Sequence, residues 1–137
     1  ARGFSTKTCF PDSSALFAWG AEDSIEACAI KEFLLENRFP LFTTNFVLAE
    51  TISLITKRVG KSKGISFGKQ LLSSSILRFI MVDEDLQKKA WDLYASYKDK
   101  DFDLIDATSF VYCRKQKIKE VITLDQHFSQ MGFTVFP

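Results

Sequence analysis

Histidine is nearly absent from this chain, and cysteine is sparse. There is one His, His127, and three Cys, Cys9, Cys28 and Cys113, with no CxxC spacing. An odd number of scattered thiols excludes a disulfide framework, and one His with no paired Cys excludes a structural zinc site. Reduced thiols of a cytoplasmic protein are the expectation. No apolar run approaches the roughly eighteen residues of a membrane span, so no membrane partner is expected. The opening ARGFSTKTCF is basic but has no long apolar core; it is read as a lead into the first strand rather than a secretion signal. No GxxxxGK[ST] occurs, which disfavours a P-loop enzyme. No Ser–His–Asp set is available either, because the only His stands two residues past Asp125.

Charge of one sign is missing as well. The net charge is +1, so no global field calls for nucleic acid or membrane. The local distribution is uneven. No acid occurs between Glu50 and Asp83, where Lys57, Arg58, Lys61, Lys63, Lys69 and Arg78 stand. A second basic run is Arg114, Lys115, Lys117 and Lys119. Either run could contact phosphates or be a solvated helix face.

What the sequence does have is apolar residues at 46%, 14 of them Phe. A chain of 137 residues suits one domain, here residues 1–137, with a packed core. Short strands are expected at 8–12, 40–44, 77–82, 120–124 and 133–137. Helices are expected at 14–20, 23–38 with Asp23 as cap, and from Asn45 as cap to a stop at Gly60. Further helices are expected at 66–74, after Asp83, and at about 104–116. Strands alternating with helices point to an α/β fold: an α/β/α sandwich around a mostly parallel sheet. Ligands of such sheets bind beyond the C-terminal strand ends, so chemistry is sought after residues 12, 44, 82 and 124.

Most of the 17 acids lie in polar stretches. Four do not: Asp12 in CFPDSSALFA, Glu50 in FVLAETISLI, Asp106 in DLIDATSFVY and Asp125 in VITLDQHF. A buried carboxylate must be neutralised, paired or bound to a metal. Two carboxylates 4 Å apart repel by roughly 4 kcal/mol at an effective dielectric of 20. No Lys or Arg lies within four positions of Asp12, Glu50 or Asp125. A hard divalent cation, Mg²⁺ or Mn²⁺, is the fitting partner. Each acid also has a plainer reading: Asp12 and Asp125 as helix caps, Glu50 paired with a distant Lys, and Asp106 as a first-turn acid favoured by the helix dipole.

PDSSAL, TTNFVLAE, DLIDATSF and VITLDQHFSQMGF, in that order, resemble the PIN-domain nucleases, and within them the VapC-type toxins of bacterial and archaeal toxin–antitoxin pairs. The resemblance runs from about residue 8 to the end. It implies a divalent-metal-dependent ribonuclease, with an RNA substrate, a cognate antitoxin and a homodimer as partners. It implies Asp12, Glu50, Asp106 and Asp125 as the catalytic and metal-binding acids, with Ser14 supporting them and Asn45 opening the stretch that ends at Glu50. Departures are Pro11, where an apolar strand residue is usual, Ser13 for a common Thr, and Asp103, where many relatives have Ser or Thr. Pro11 must sit where the ladder needs no donor. Asp103 is expected to cap the helix carrying Asp106, with an added role at the site left open. The alternatives are a catalytically silent PIN-like binding module, for which Pro11 and Asp103 are the motive, and a phosphate-accepting receiver domain, which lacks its late Lys. His127 is expected as a surface or helix residue rather than a proton shuttle. Trp19, shortly after Asp12, is the aromatic to test for substrate or partner contact.

Overall fold

A computed structural model describes residues 8–36 and 40–137. In chain order the elements are β1 (Cys9–Pro11), α1 (Ser13–Ala21), α2 (Ile25–Glu36), β2 (Leu41–Thr44), α3 (Asn45–Arg58), α4 (Lys61–Leu72), β3 (Leu77–Ile80), α5 (Glu84–Ser96), α6 (Leu104–Lys115), β4 (Glu120–Ile122), α7 (His127–Gln130) and β5 (Thr134–Phe136). All four strand pairings are parallel, and the order across the sheet is β3-β2-β1-β4-β5. The expected α/β/α sandwich is the architecture observed. Its sheet is fully rather than mostly parallel.

That order fixes where a site can form. The chain winds from β1 outward through β2 to β3, then crosses back to β4 and out to β5. The direction reverses between β1 and β4, which is the switch point of a doubly wound sheet. Asp12 follows β1 and Asp125 follows β4, so both flank the reversal at the same sheet edge.

The helices start and stop for local reasons, and several caps differ from expectation. Ser24, not Asp23, caps α2: its hydroxyl accepts from the Ala27 N–H at 3.0 Å. Asp23 instead lies 3.8 Å from Lys31. Thr44, not Asn45, caps α3, accepting from the Val47 N–H at 3.2 Å. The hydroxyl one residue earlier wins because Asn45 is drawn elsewhere: its Oδ1 accepts from the Val82 N–H at 2.8 Å. β3 stops at Ile80 rather than at Val82 because its partner β2 ends at Thr44, opposite Ile80. Gly60 ends α3 as expected, with φ +141°, a value an L side chain resists. The next helix begins at once at Lys61 rather than at Ser66, and Gly60 is its N-cap. Asp83 caps α5 through the Leu86 N–H. Helix α7 was absent from the pattern, since four residues carry no periodicity. Positions 37 and 38, the expected end of the second helix, lie outside the described residues, as do the first seven of the opening decapeptide.

Pro11 occupies a central strand, not an edge. The Asp12 N–H donates to Ile122 O at 3.1 Å, so alternate residues Phe10 and Asp12 turn their N–H groups toward β4. Pro11 therefore turns its missing donor toward β2, where β1 pairs only through Cys9 and Leu41. Its carbonyl is satisfied there by the Thr43 hydroxyl at 2.9 Å.

Aromatic packing locks the elements that carry the acids. Phe10 of β1, Phe110 of α6 and Phe128 of α7 are fully buried. The Phe110 and Phe128 rings meet edge-on at 4.9 Å, and Phe10 lies 6.3 Å from Phe128. Each such ring contributes about 1.5–3 kcal/mol on burial. Asp12, Asp106 and Asp125 stand two, four and three residues from these anchors, so the core holds their backbones in place.

Candidate active site

Asp12 leaves the end of β1 and caps α1. Its Oδ1 accepts from the Ser14 hydroxyl at 2.7 Å and the Ala15 N–H at 3.0 Å, and its Oδ2 accepts from the Thr123 hydroxyl at 2.6 Å. It is 4% exposed. Burial pushes its carboxyl up to about 6, although the three donors pull the other way; the Asp125 charge adds a smaller upward push. The capping role and the site role thus belong to one side chain.

Two hydroxyls tie this carboxylate to the loop after β4. Thr123 Oγ1 accepts from the Asp125 N–H at 2.9 Å, and Ser14 Oγ accepts from the Leu124 N–H at 2.9 Å. Ser14 therefore joins the Asp12 carboxylate to the loop after β4. Thr123 was not singled out by sequence, because a Thr in a β-rich run looks like ordinary strand residue.

Glu50 lies on α3 and takes a hydrogen bond from the Ser13 hydroxyl. Burial raises its pKa, and the charges of Asp103 and Asp125 raise it further. Asp106 stands in the first turn of α6. It forms a reciprocal capping box with Asp103, the expected cap: the Asp106 N–H donates to Asp103 Oδ1 at 2.8 Å, and the Asp103 N–H donates to Asp106 Oδ2 at 3.1 Å. Burial pushes the Asp106 carboxyl up to about 8, with Asp103 the next contributor and Asp125 and Asp12 behind it. Asp103 is thus both a cap and a charge within reach of two site acids. Asp99 and Asp101 are exposed.

Glu50, Asp103, Asp106 and Asp125 line one pocket of about 280 Å³, together with Ser13 and Ser14. Asp12 meets the pocket through Ser14. All four predicted acids are therefore brought to one place. Asn45 is not among the lining residues; it acts on the backbone at Val82. Among the described residues Arg58 is the one cationic residue lining the pocket, its guanidinium 5.2 Å over the Phe17 ring. Trp19 lies elsewhere: it packs edge-on against Phe67 at 5.5 Å and lines a separate groove with Lys31 and Leu34. Arg114 of the second basic run is occupied too, donating to Met131 O at 3.0 Å.

His127 belongs to the site, which the sequence reading missed while placing it correctly on a helix. Its Nδ1 lies 2.8 Å from Asp125 Oδ1 and 3.5 Å from Asp106 Oδ2. The spacing D-x-H after a strand was the available signal.

The donor set suits a divalent cation. Among the described residues none of the four acids is ion-paired with a Lys or Arg; burial, and after it the neighbouring carboxylate charges of Asp103 and Asp125, raises Glu50 and Asp106. Carboxylate oxygens are the ligands Mg²⁺ and Mn²⁺ prefer. Asp106, Asp125 and His127 each offer a donor atom, all within 4.8 Å of one another.

The PIN domain family model matches residues 9–134. The chain is 32% identical over 93 residues to the 23S rRNA-specific endonuclease VapC20 of Mycobacterium tuberculosis, a match covering 68% of this chain and 70% of that protein. The crystal structure of Mycobacterium tuberculosis VapC20, described as a sarcin-ricin loop cleaving toxin, superposes with a TM-score of 0.86 at 28% identity, covering 94% of this chain and 99% of the other. A toxin–antitoxin complex from Klebsiella pneumoniae shares the fold with a TM-score of 0.59 at 16% identity, over 86% of this chain and 87% of that one.

Proposed function

This chain belongs to the PIN-domain family, and on that premise we propose that it is a Mg²⁺- or Mn²⁺-dependent endoribonuclease, the toxin of a toxin–antitoxin pair. The observation that carries the reading is the convergence of Glu50, Asp106 and Asp125 on one pocket, with Asp12 joined to it through Ser14, at the switch point of a parallel sheet. The similarity to a 23S rRNA-specific endonuclease makes ribosomal RNA the substrate class to test first.

The reaction is hydrolysis of a phosphodiester: water forms a new bond to phosphorus and one ester oxygen leaves. When bound, the divalent ion supplies charge neutralisation at the phosphate and makes water more acidic. The chain's own residues do the positioning. Asp106 and Asp125 present carboxylates to the pocket, and Glu50 is held there by Ser13. Asp12, Ser14 and Thr123 cross-link the loops after β1 and β4, so the acids keep their spacing. Burial, and after it the Asp103 charge, raises the Asp106 carboxyl to about 8, and a bound cation would favour its ionised form. Arg58 offers the pocket a cation for a neighbouring phosphate.

We read residues 1–137 as one nuclease domain acting in the cytoplasm, as a homodimer, under an antitoxin. Relatives of this fold captured as toxin–antitoxin complexes support the last point. The silent-module alternative loses its motives: Pro11 costs the sheet no hydrogen bond toward β4, and Asp103 is employed as a cap.

The test is incubation of purified protein with ribosomal RNA, with Mg²⁺ or Mn²⁺ and again with chelator. Discrete fragments only with metal are expected. Intact RNA under every condition would overturn the reading.

A further inference from the structure

We propose that His127 is a protein ligand of the site's metal, binding through Nδ1 beside Asp106 and Asp125, and that this nitrogen biases the site toward Mn²⁺ over Mg²⁺. The proposal rests on the metal-dependent reading above and deepens it.

Geometry is the first argument. Adjacent ligands of an octahedral ion at about 2.1 Å from the metal stand roughly 3 Å apart. His127 Nδ1 is 2.8 Å from Asp125 Oδ1 and 3.5 Å from Asp106 Oδ2. Both separations are close to that value, and the three donor atoms all lie within 4.8 Å of one another.

The state of the nitrogen is the second. Nδ1 is shut off from solvent, yet no hydrogen bond satisfies it; the close approach to Asp125 is not aligned for one. A buried nitrogen left this way is costly and rare. A metal accepting the Nδ1 lone pair removes the cost, leaving the Nε2 proton in place.

Rigidity is the third. The His127 N–H donates to Asp125 Oδ1 at 2.9 Å, which ties the backbone to the neighbouring ligand. Phe128, the next residue, is fully buried against Phe10 and Phe110. The imidazole is thus carried on a short helix that the core holds fixed.

Charge is the fourth. The pocket is already lined by the carboxylates of Glu50, Asp103, Asp106 and Asp125. A neutral imidazole adds a donor without adding negative charge against an incoming phosphate. Nitrogen donors favour the transition ions over Mg²⁺, which keeps to oxygen.

Because the chain has one histidine, the test is unambiguous. Untagged protein, unlabelled and with ¹⁵N-histidine, is loaded with one equivalent of Mn²⁺ and studied by electron spin-echo spectroscopy. Modulation from ¹⁴N that converts to the ¹⁵N pattern on labelling is the expected result. Calorimetry should then show His127→Gln weakening Mn²⁺ binding by about tenfold or more, with a smaller change for Mg²⁺. Saturable Mn²⁺ binding without histidine modulation, and with affinity unchanged in His127→Gln, overturns this proposal and leaves the nuclease reading standing. No saturable Mn²⁺ binding to the unsubstituted protein overturns both.

Discussion

Asp103 and Asp106 hold each other's backbone: each side chain accepts from the other's N–H, at 2.8 Å and 3.1 Å. Burial raises the Asp106 carboxyl to about 8, and the Asp103 charge set beside it by the same pairing adds to the rise. The relationship separates stability from activity. In Asp103→Ser the cap survives, since Ser is a good N-cap, so stability should change by less than about 1 kcal/mol. Activity should fall only mildly. Asp106→Asn should cost activity severely, roughly a hundredfold or more. Equal losses in the two variants, measured on one RNA substrate, would refute the division.

The raised carboxyls predict how the metal-free protein responds to pH. Asp106 and Asp12 titrate near 8 and 6 in the folded chain, above the ordinary carboxylate value. Folding therefore favours their protonated forms. Their contribution is full at low pH and is lost as pH rises through 6 and then 8. In chelator, Tm should fall between pH 5 and pH 8, and Asp106→Asn should flatten the upper part of that fall. A Tm rising over the same range would contradict the assignment.

Binding of the cation should reverse this loss. A ligand at a hundred times its Kd stabilises the folded state by about 2.7 kcal/mol. Mg²⁺ or Mn²⁺ should therefore raise Tm most at pH 8, where the carboxylates are least content without it. Asp125→Asn should abolish most of the shift. A full shift in that variant would remove Asp125 from the ligand set.

Asp12 carries two duties that different substitutions separate. Asp12→Asn keeps an oxygen acceptor for the Ala15 N–H, whereas Asp12→Ala removes that acceptor and those of the Thr123 and Ser14 hydroxyls. The alanine variant should lose roughly 1–3 kcal/mol of stability in urea melts, with the asparagine variant between it and wild type. Indistinguishable stabilities would mean the network adds nothing to folding.

The four acids were legible because each breaks an apolar run, and burial makes that breach expensive unless it serves something. The parallel sheet was legible from alternation alone. The caps at Ser24 and Thr44 were not, since neighbouring polar residues compete for one N–H, and Asn45 is decided by Val82, which is remote in sequence. Ser13 and Thr123 were not legible as site residues, and Arg58 was legible only as one of a basic run, for a similar reason. Their roles depend on partners 37 or 111 positions away, or on a shared pocket wall. His127 was undervalued because one His in a surface-like stretch gives no hint of two carboxylates across the sheet edge.

Arg58 gives the basic stretch a specific member to test. It makes no ion pair or hydrogen bond among the described residues and faces the acid pocket over Phe17. Arg58→Ala should weaken RNA binding and shallow its salt dependence by about one phosphate contact, with the fold intact. An unchanged salt slope would return Arg58 to the solvated surface.

The most direct test of the central claim is a side-by-side RNA cleavage assay of the wild-type protein, Asp12→Asn and Asp106→Asn in Mg²⁺ and in Mn²⁺, with each variant shown to be folded. The account predicts metal-dependent cleavage by the wild type and its near-complete loss in both variants. Undiminished cleavage by the two folded variants would contradict it.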